Sequence, residues 1–333
     1  MSQPVPDNVR SAIAVLAALC LLGSAAFAAP TQAKPAPLIA AAGDIACGPN
    51  NPRYNGGFGT FNSCQQLATS NLLLGRPYAA ILPLGDIVYD DNGSLASYYA
   101  SYSPTWGRFK RATHPAIGNH EYDDGLGGQG YWDYFNGIGD NEGRAGVRGQ
   151  GWYAYNVGSW RLIALNSNCD FVACARTSRQ IRFLERELEE HPDRCVLAYF
   201  HHPRFTSGLY EEIGDTRAIW RALYRGGADV VLNGHDHIYE RFAPQRPSGI
   251  RDWRTGISQF SVGTGGYFLF PVGVPPQPNS QFTFNGDFGI LNMRLGHKRY
   301  GWSFVTAGSR TSIDSGRRGC HREPKRRRPK HKG

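Results

Sequence analysis

The sequence lacks the short motifs that identify several common enzyme classes. It contains no P-loop, no HExxH pair and no GxSxG nucleophile elbow. A GxGxxG match at residues 125–130 follows two aspartates rather than an apolar strand, so it does not indicate a dinucleotide-binding fold. There is also no CxxC pair, which leaves a cysteine zinc site or a thioredoxin-type centre without support.

Net charge is nearly absent outside the last segment of the chain. The 36 Lys and Arg exceed the 27 Asp and Glu, but residues 317–333 alone hold nine basic residues and one acidic residue. Subtracting these leaves 27 basic and 26 acidic residues over the first 316 positions. Nucleic-acid binders usually spread basic residues over a folded face, so that function is not indicated. We expect residues 315–333 to form a basic, disordered tail that could bind an anionic surface or polymer, and no specific protein partner is indicated.

One long hydrophobic run occurs, near the amino terminus. Residues 12–22 are apolar, Arg10 precedes them, and residues 26–28 match an A-x-A cleavage site. The pattern predicts a secretory signal peptide over residues 1–28 and a linker over residues 29–36. The expected localisation is secreted or extracellular, with association with the cell envelope as a further option. An uncleaved anchor is the alternative, because the run approaches the length that spans a bilayer.

Cysteine is scarce, and its pattern indicates disulfide bonds. Without Cys20 of the signal segment, six cysteines remain, at positions 47, 64, 169, 174, 195 and 320. An even number in an exported chain predicts disulfides, for which 15 connectivities exist. Short loops favour pairing the first with the second and the third with the fourth, which leaves the last two. The connectivity stays open at this point.

Short apolar runs alternate with helical patterns along the chain. The apolar runs cover residues 38–42, 79–84, 116–117, 196–200 and 230–232. Such runs are typical of buried strands, and helical patterns lie over residues 65–74, 179–190 and 216–224. Antiparallel strands are expected over residues 259–262, 290–295 and 300–305. This alternation predicts an α/β fold.

The polar residues that follow the apolar runs are of types that bind metal ions. They are Asp44, Asp86, Asn119, His120, His201, His202, His235 and His237. Because ligands lie beyond the carboxyl ends of strands in open α/β sheets, we expect these side chains to converge on one site. Carboxylate, amide and imidazole ligands suit iron, manganese or zinc, and two ions can be held when one carboxylate bridges them.

Taken together, these segments resemble the five motifs of calcineurin-like metallophosphoesterases. The motifs are Gly43-Asp44, Gly85-Asp86-x-x-Tyr89, Gly118-Asn119-His120-Glu121, the strand ending at His201, and Gly234-His235-x-His237. The Gly-Asp-x-x-Tyr form is similar to the purple acid phosphatase branch. Ala46, where many relatives outside that branch have histidine, agrees with this.

The resemblance implies a fold and an activity. The fold is an α/β, four-layer α/β/β/α sandwich with two mixed sheets, in a compact single catalytic domain over residues 37–314. The implied activity is that of a secreted, acid phosphatase-like hydrolase that cleaves phosphomonoesters by attack of a metal-bound hydroxide. The implied partner is a small phosphate-ester substrate.

The resemblance also implies two metal positions bridged by Asp86. The first would take Asp44, Tyr89 and His237, and the second would take Asn119, His201 and His235. A phenolate ligand favours Fe(III) at the first position, with Fe, Zn or Mn at the second. Asp236, between two ligand histidines, is expected to face away from the metals.

Two further histidines carry catalytic interpretations. His120 is implied to protonate the leaving oxygen, with Glu121 orienting it. A metal ligand or a structural turn residue is the alternative for His120. His202 matches no ligand and is placed to contact phosphate, or else it is a structural histidine beside the metals.

Other functions stay open on the sequence alone. One is a phosphodiesterase that acts on nucleotides or lipid headgroups. Another is a non-catalytic surface-binding module with a structural metal site. An aromatic run over residues 131–135 could line a pocket for an aromatic leaving group, although core packing is the favoured interpretation.

Overall fold

The computed structural model describes residues 35–192, 194–210 and 216–321. The predicted signal peptide, residues 29–34 of the linker and residues 322–333 of the predicted tail lie outside the described residues. Within the described part, no helix combines the length and the apolar character needed to cross a bilayer.

Strands dominate the fold. They are β1 (Leu38–Ala42), β2 (Tyr78–Pro83), β3 (Glu142–Gly143), β4 (Gly146–Val147), β5 (Tyr153–Val157), β6 (Trp160–Ala164), β7 (Cys195–Tyr199), β8 (Val230–Asn233), β9 (Tyr239–Phe242), β10 (Ser258–Val262), β11 (Ser280–Phe284), β12 (Gly289–Gly296), β13 (Arg299–Thr306) and β14 (Ser312–Gly319). The helices are α1 (Gln66–Asn71), α2 (Leu95–Ser97), α3 (Gln129–Phe135), α4 (Arg179–Glu190) and α5 (Arg217–Arg225). Short 3-10 or π-helical segments lie at Asn55–Gly57, Asp91–Gly93, Tyr98–Tyr102, Trp106–Ala112 and His120–Tyr122.

The strands form two large mixed sheets. One has the order β14-β13-β12-β1-β2, in which only β1 and β2 are parallel. The other has the order β11-β9-β10-β8-β7-β6-β5, in which β6, β7, β8 and β10 run parallel to one another and the outer pairings are antiparallel. The predicted α/β sandwich with two mixed sheets is confirmed.

Alternate residues of the central strand β7 enter two different cores. Leu197 and Tyr199 pack into the larger core, which also contains residues of β1 and β12 from the other sheet. Val196 and Ala198 pack against α4 and α5 on the opposite face. Because successive side chains of a strand point to opposite faces, this division covers both faces of the sheet. It also explains the uninterrupted apolar run in the sequence.

The three predicted helices are present at nearly the predicted residues. The prediction of a strand at residues 116–117 is wrong. Helix α4 occupies the predicted residues, and the Ser178 hydroxyl caps it by accepting from the Ile181 N–H. The apolar run at residues 116–117 is not a strand, because Ala116 forms only an isolated parallel bridge with Leu84. Two apolar residues after Pro115 are too few to continue a ladder.

The carboxyl-terminal boundary predicted at residue 315 is also wrong. Strand β14 runs to Gly319 and pairs with β13 along nearly its whole length. Asp314, inside β14, accepts hydrogen bonds from Tyr239 and Trp302 and forms an ion pair with Arg241. These contacts fix the strand, whose exposed Arg317 resembles a tail residue when only the sequence is considered.

The aromatic run over residues 131–135 belongs to the core. Tyr131, Trp132, Tyr134 and Phe135 of α3 are each no more than 3% exposed. Core packing is therefore the correct interpretation, and these rings do not line an open pocket.

Three disulfides connect the chain as the short-loop argument favours. They join Cys47 to Cys64, Cys169 to Cys174, and Cys195 to Cys320. The third joins the start of β7 to the residue after β14, so it ties the end of the described chain to the central sheet.

We expect the Cys195–Cys320 disulfide to stabilise the fold more than the Cys169–Cys174 disulfide. Their sequence separations are 125 and 5, and loop-closure entropy then predicts about 5 and about 2 kcal/mol. Denaturant unfolding of Cys195→Ala/Cys320→Ala and of Cys169→Ala/Cys174→Ala measures both losses. An equal or reversed order of the two losses would contradict the entropic account.

Candidate metal centre

The two sheets meet at the carboxyl ends of their parallel strands. Asp44 follows β1 and Asp86 follows β2, while His201 follows β7 and His235 follows β8. The His201 imidazole Nδ1 lies 2.9 Å from the Leu84 carbonyl oxygen, which joins the end of β7 to the end of β2. The polar residues that follow strands of both sheets therefore lie close together, as the sequence predicts.

The backbone at this place is held in unusual conformations. Asp44, Asp86 and His235 have φ of 59°, 48° and 73°, in the left-handed region that few non-glycine residues adopt. Gly85 has φ of 90°, and a Cβ there would lie 2.6 Å from the His201 Nδ1 atom. A Cβ on Gly118 would overlap the Asp86 carboxylate. The motif glycines thus allow the strand ends to approach, and such strain is typical of functional sites.

The first group of donors surrounds the Tyr89 hydroxyl. Its oxygen lies 2.8 Å from Asp44 Oδ1, 2.9 Å from Asp86 Oδ2 and 2.9 Å from His237 Nε2. All four side chains are buried. These are the four residues expected at the first metal position.

The second group surrounds the His201 imidazole. Its Nε2 atom lies 3.1 Å from Asp86 Oδ2, 3.1 Å from Asn119 Oδ1 and 3.2 Å from His235 Nδ1. These are the four residues expected at the second position. Asp86 Oδ2 belongs to both groups, so the seven predicted ligands lie together and share one carboxylate oxygen.

The electrostatics of the two groups suit cations. Burial and the carboxylates of Asp44 and Asp86 raise the pKa of the Tyr89 hydroxyl well above its usual value. Burial opposes a charge on His201, but Asp86 raises the pKa of that imidazole to about 9. Burial and the neighbouring His201 lower the pKa of His235.

The donor set fits a pair of metal ions. In each of the two groups, buried oxygen and nitrogen atoms lie 2.8–3.2 Å apart and must share protons as hydrogen bonds. A metal cation in each group would take the place of those protons. Asp44, Asp86, His201, His202 and His235 place ligand atoms within 4.8 Å of one another in two overlapping sets of three. Oxygen and imidazole donors together suit first-row transition metals.

His120 lies beside both groups but belongs to neither. Its Nε2 atom is 3.9 Å from Asp86 Oδ2, and its ring centroid is 4.4 Å from that of Tyr89. Its Nδ1 atom is 2.7 Å from Asp123 Oδ2, and its side chain is 38% exposed. Burial alone would lower the pKa of His120, but Asp86 and Asp123 raise it. The ring therefore faces solvent at the edge of the centre.

The predicted role of Glu121 in orienting His120 is wrong. The buried Glu121 carboxylate accepts from the backbone N–H groups of Asp86, Ile87 and Gly118 at 2.7–2.9 Å. Burial and the charge of Asp86 raise the pKa of Glu121 to about 7. Glu121 thus fixes the loops that carry the donor residues, and Asp123 is the residue that contacts the His120 ring.

His202 lies against the second group. Its Nδ1 atom is 2.8 Å from the Ser167 hydroxyl, which also accepts from the His202 backbone N–H. The hydroxyl can therefore donate its own proton to Nδ1, and in that tautomer the Nε2 atom carries the ring proton. The His202 ring centroid is 4.4 Å from that of His235.

Two aromatic residues of the site escape sequence reasoning. Tyr267 stacks on Tyr89 with the ring centroids 3.6 Å apart, and Tyr210 stacks on His235 at 4.3 Å. Both come from loops without a recognisable motif. Asp236 turns away from the donors, as expected, and its carboxylate accepts from the Thr206 hydroxyl and the Tyr210 N–H. This contact ties the Tyr210 loop to the segment that carries His235 and His237.

Comparison with known proteins identifies relatives of this arrangement. The family model described as calcineurin-like phosphoesterase matches residues 37–239. Purple acid phosphatase 15 of Arabidopsis thaliana is 26% identical over 212 residues, which cover 55% of this chain and 38% of that protein. Acid phosphatase type 7 of Danio rerio is 27% identical over 204 residues, which cover 50% of this chain and 42% of that protein. The chain therefore spans about half the length, or less, of these curated relatives.

Solved structures agree on the fold. Purple acid phosphatase PPD1 from yellow lupin (Lupinus luteus) seeds has a TM-score of 0.65 at 17% identity, covering 86% of this chain and 54% of that one. GAP50, the anchor in the inner membrane complex of Plasmodium, has a TM-score of 0.63 at 12% identity, covering 87% and 90%. At these identities the likeness concerns the fold alone.

We expect Glu121→Ala to destabilise the protein by at least about 3 kcal/mol, because it leaves three buried N–H groups without an acceptor. Glu121→Gln, which keeps one acceptor oxygen, should lose less. Denaturant unfolding measures both, with the exposed Glu189→Ala as the matched control. An unfolding free energy for Glu121→Ala equal to that of the control would contradict this role.

Proposed function

This chain belongs to the calcineurin-like phosphoesterase family and resembles its purple acid phosphatase branch, and we propose that it hydrolyses phosphate monoesters at a two-metal centre. The names of its relatives support a monoester substrate rather than a diester. The proposed substrate is a small phosphate ester, which can reach the centre from the solvent beside His120.

We propose that the two groups of donors hold one ion each. Asp44, Tyr89 and His237 would hold the first, which Tyr89 favours as Fe(III), because a phenolate suits a hard trivalent cation. Asn119, His201 and His235 would hold the second, as Fe, Zn or Mn. Asp86 would join them through Oδ2. Two bound cations supply charge stabilisation for a phosphoryl group and lower the pKa of a water.

His120 is the residue whose placement carries the proposal. Holding a metal does not require an exposed imidazole that stands outside both donor groups. The Asp123 carboxylate, by pairing with Nδ1, orients the ring and favours its protonated form, so that Nε2 presents a proton at the edge of the centre. A general acid at that point would protonate the leaving oxygen. A purely structural metal site would have no use for it.

His202 would bind the substrate phosphate. The hydrogen bond to the Ser167 hydroxyl fixes its ring, and its Nε2 proton is available to a phosphoryl oxygen.

We further propose that the protein is secreted. Three disulfides suit an oxidising compartment, and the predicted signal segment would direct the chain there.

We expect Asp86→Ala to lose both metal ions, because Asp86 Oδ2 belongs to both donor groups. Asn119→Ala should lose mainly one ion, since Asn119 contacts only the second group. Elemental analysis of the purified proteins measures the ions per chain, with the exposed Asp170→Ala as the control. Two ions retained in Asp86→Ala would overturn the bridging role.

We expect His120→Ala to lower kcat by roughly 100-fold to 10,000-fold for an alkyl phosphate and by much less for a nitrophenyl phosphate. The difference arises because a nitrophenolate leaves without a proton, whereas an alkoxide does not. Asp123→Asn should show a weaker form of the same pattern, since it removes the charge on the ring partner. Metal content should be unchanged. Equal losses on both esters would contradict a general acid and favour a structural or ligand role.

A further inference from the structure

The strand directions divide the molecule into two ends. Strands β1, β2, β7, β8 and β10 run toward the metal centre, so they begin at the other end. The turn between β12 and β13 and the loop from β9 to β10 lie at that other end, because both connect strands that leave the centre with strands that return to it. Strand β14 also finishes there, at Gly319.

The residues at this far end form one connected surface. Cys320 is bonded to Cys195 at the start of β7, and its N–H donates to the Lys298 carbonyl oxygen in the β12–β13 turn. An Arg318 guanidinium N–H donates to the Trp253 carbonyl oxygen in the loop before β10. We call this the basal surface, defined by Arg194, Ile250, Arg251, Trp253, Arg254, Lys298, Arg299, Arg317 and Arg318.

The basal surface is strongly cationic. Seven of its nine residues are Arg or Lys, and among the residues that the structure describes none of the seven has a carboxylate ion-pair partner. The carboxylates nearby are buried and already bonded. Asp252 pairs with Arg246 and accepts from Tyr224, and Asp229 accepts from the backbone of Val196. The charge of the surface is therefore not balanced from within the fold.

Two apolar side chains project from the same surface. Trp253 is 56% exposed and Ile250 is 60% exposed. The loop that carries Trp253 is fixed, because the Asp252 carboxylate accepts from the N–H groups of Arg254 and Thr255. The Arg318 guanidinium lies 5.2 Å from the centre of the Trp253 ring. A fixed tryptophan beside arginines gives this surface an apolar element that contact with another surface would bury.

The basal surface continues into the most basic segment of the sequence. Residues 322–333 follow His321 directly and contain seven basic residues and one acidic residue. The disulfide fixes the chain at Cys320, two residues before this segment, at the basal surface. In the sequence, the cationic surface is thus followed by a segment of the same net charge.

We propose that the basal surface binds an anionic lipid bilayer, with the metal centre directed away from it. Lys and Arg attract acidic headgroups, and tryptophan is the residue type that prefers the bilayer interface. A soluble anionic polymer would use the charges but would leave Trp253 and Ile250 without a partner, so the apolar pair favours the lipid. Bound in this orientation, the enzyme keeps its catalytic centre open to solutes.

Vesicle binding tests the proposal. The purified mature protein, which lacks the predicted signal peptide (residues 1–28), is mixed with vesicles of phosphatidylcholine alone, or of phosphatidylcholine and phosphatidylglycerol in equal amounts, and the bound fraction is measured by flotation. We expect binding to the acidic vesicles only. Arg251→Ala/Arg254→Ala should weaken it by about tenfold or more. Trp253→Ala should weaken it as well, and hydrolysis of a soluble ester should be unchanged in both.

A matched variant separates location from net charge. Arg179→Ala/Arg182→Ala removes the same charge from exposed positions at the start of α4 and should bind vesicles as the parent does. Equal weakening by the two double variants would overturn the proposal. Equal binding to neutral vesicles would also overturn it. Tight binding to heparin that Trp253→Ala leaves unchanged, without binding to acidic vesicles, would assign the surface to a soluble polyanion instead.

Discussion

The buried Asp86 carboxylate is the group on which the rest of the site depends. Its Oδ2 atom lies within 3.1 Å of both the Tyr89 hydroxyl and the His201 imidazole, and its Oδ1 atom accepts from the His120 N–H. Its own N–H is held by Glu121. A buried carboxylate with two groups of ligands around one oxygen is stable only when cations or protons balance its charge. The left-handed backbone and the adjacent glycines are the conformational cost of placing it there.

The convergence of the donor residues could be predicted from the sequence because the signal for each of them is local. Each stands directly after an apolar run, and parallel strands bring their carboxyl ends together without further information. The resemblance to the family divides them into the same two groups that the side-chain contacts form, with Tyr89 in the first group and Asp86 in both. The sandwich and the disulfides followed for the same reason, since strand patterns and short cysteine loops are visible over a few residues.

What could not be predicted depends on loop contacts. Glu121 and Asp123 are both near His120 in sequence, and only the three-dimensional turn decides that Asp123 meets the ring. Tyr267 comes from a loop that is far from Tyr89 in the sequence, so no sequence pattern predicts that the two rings stack. The extent of β14 was hidden because an exposed edge strand with two arginines has the composition of a tail.

The same strand directions that gather the donor residues at one end place the basal surface at the other, so in the proposed account hydrolysis and bilayer attachment occur at opposite ends. The measurement that tests the central claim most directly is hydrolysis of a chromogenic phosphomonoester and its diester analogue by the metal-loaded protein, side by side. The account predicts a clear preference for the monoester in kcat/KM. A preference for the diester, or no turnover of either ester with both ions bound, would contradict it.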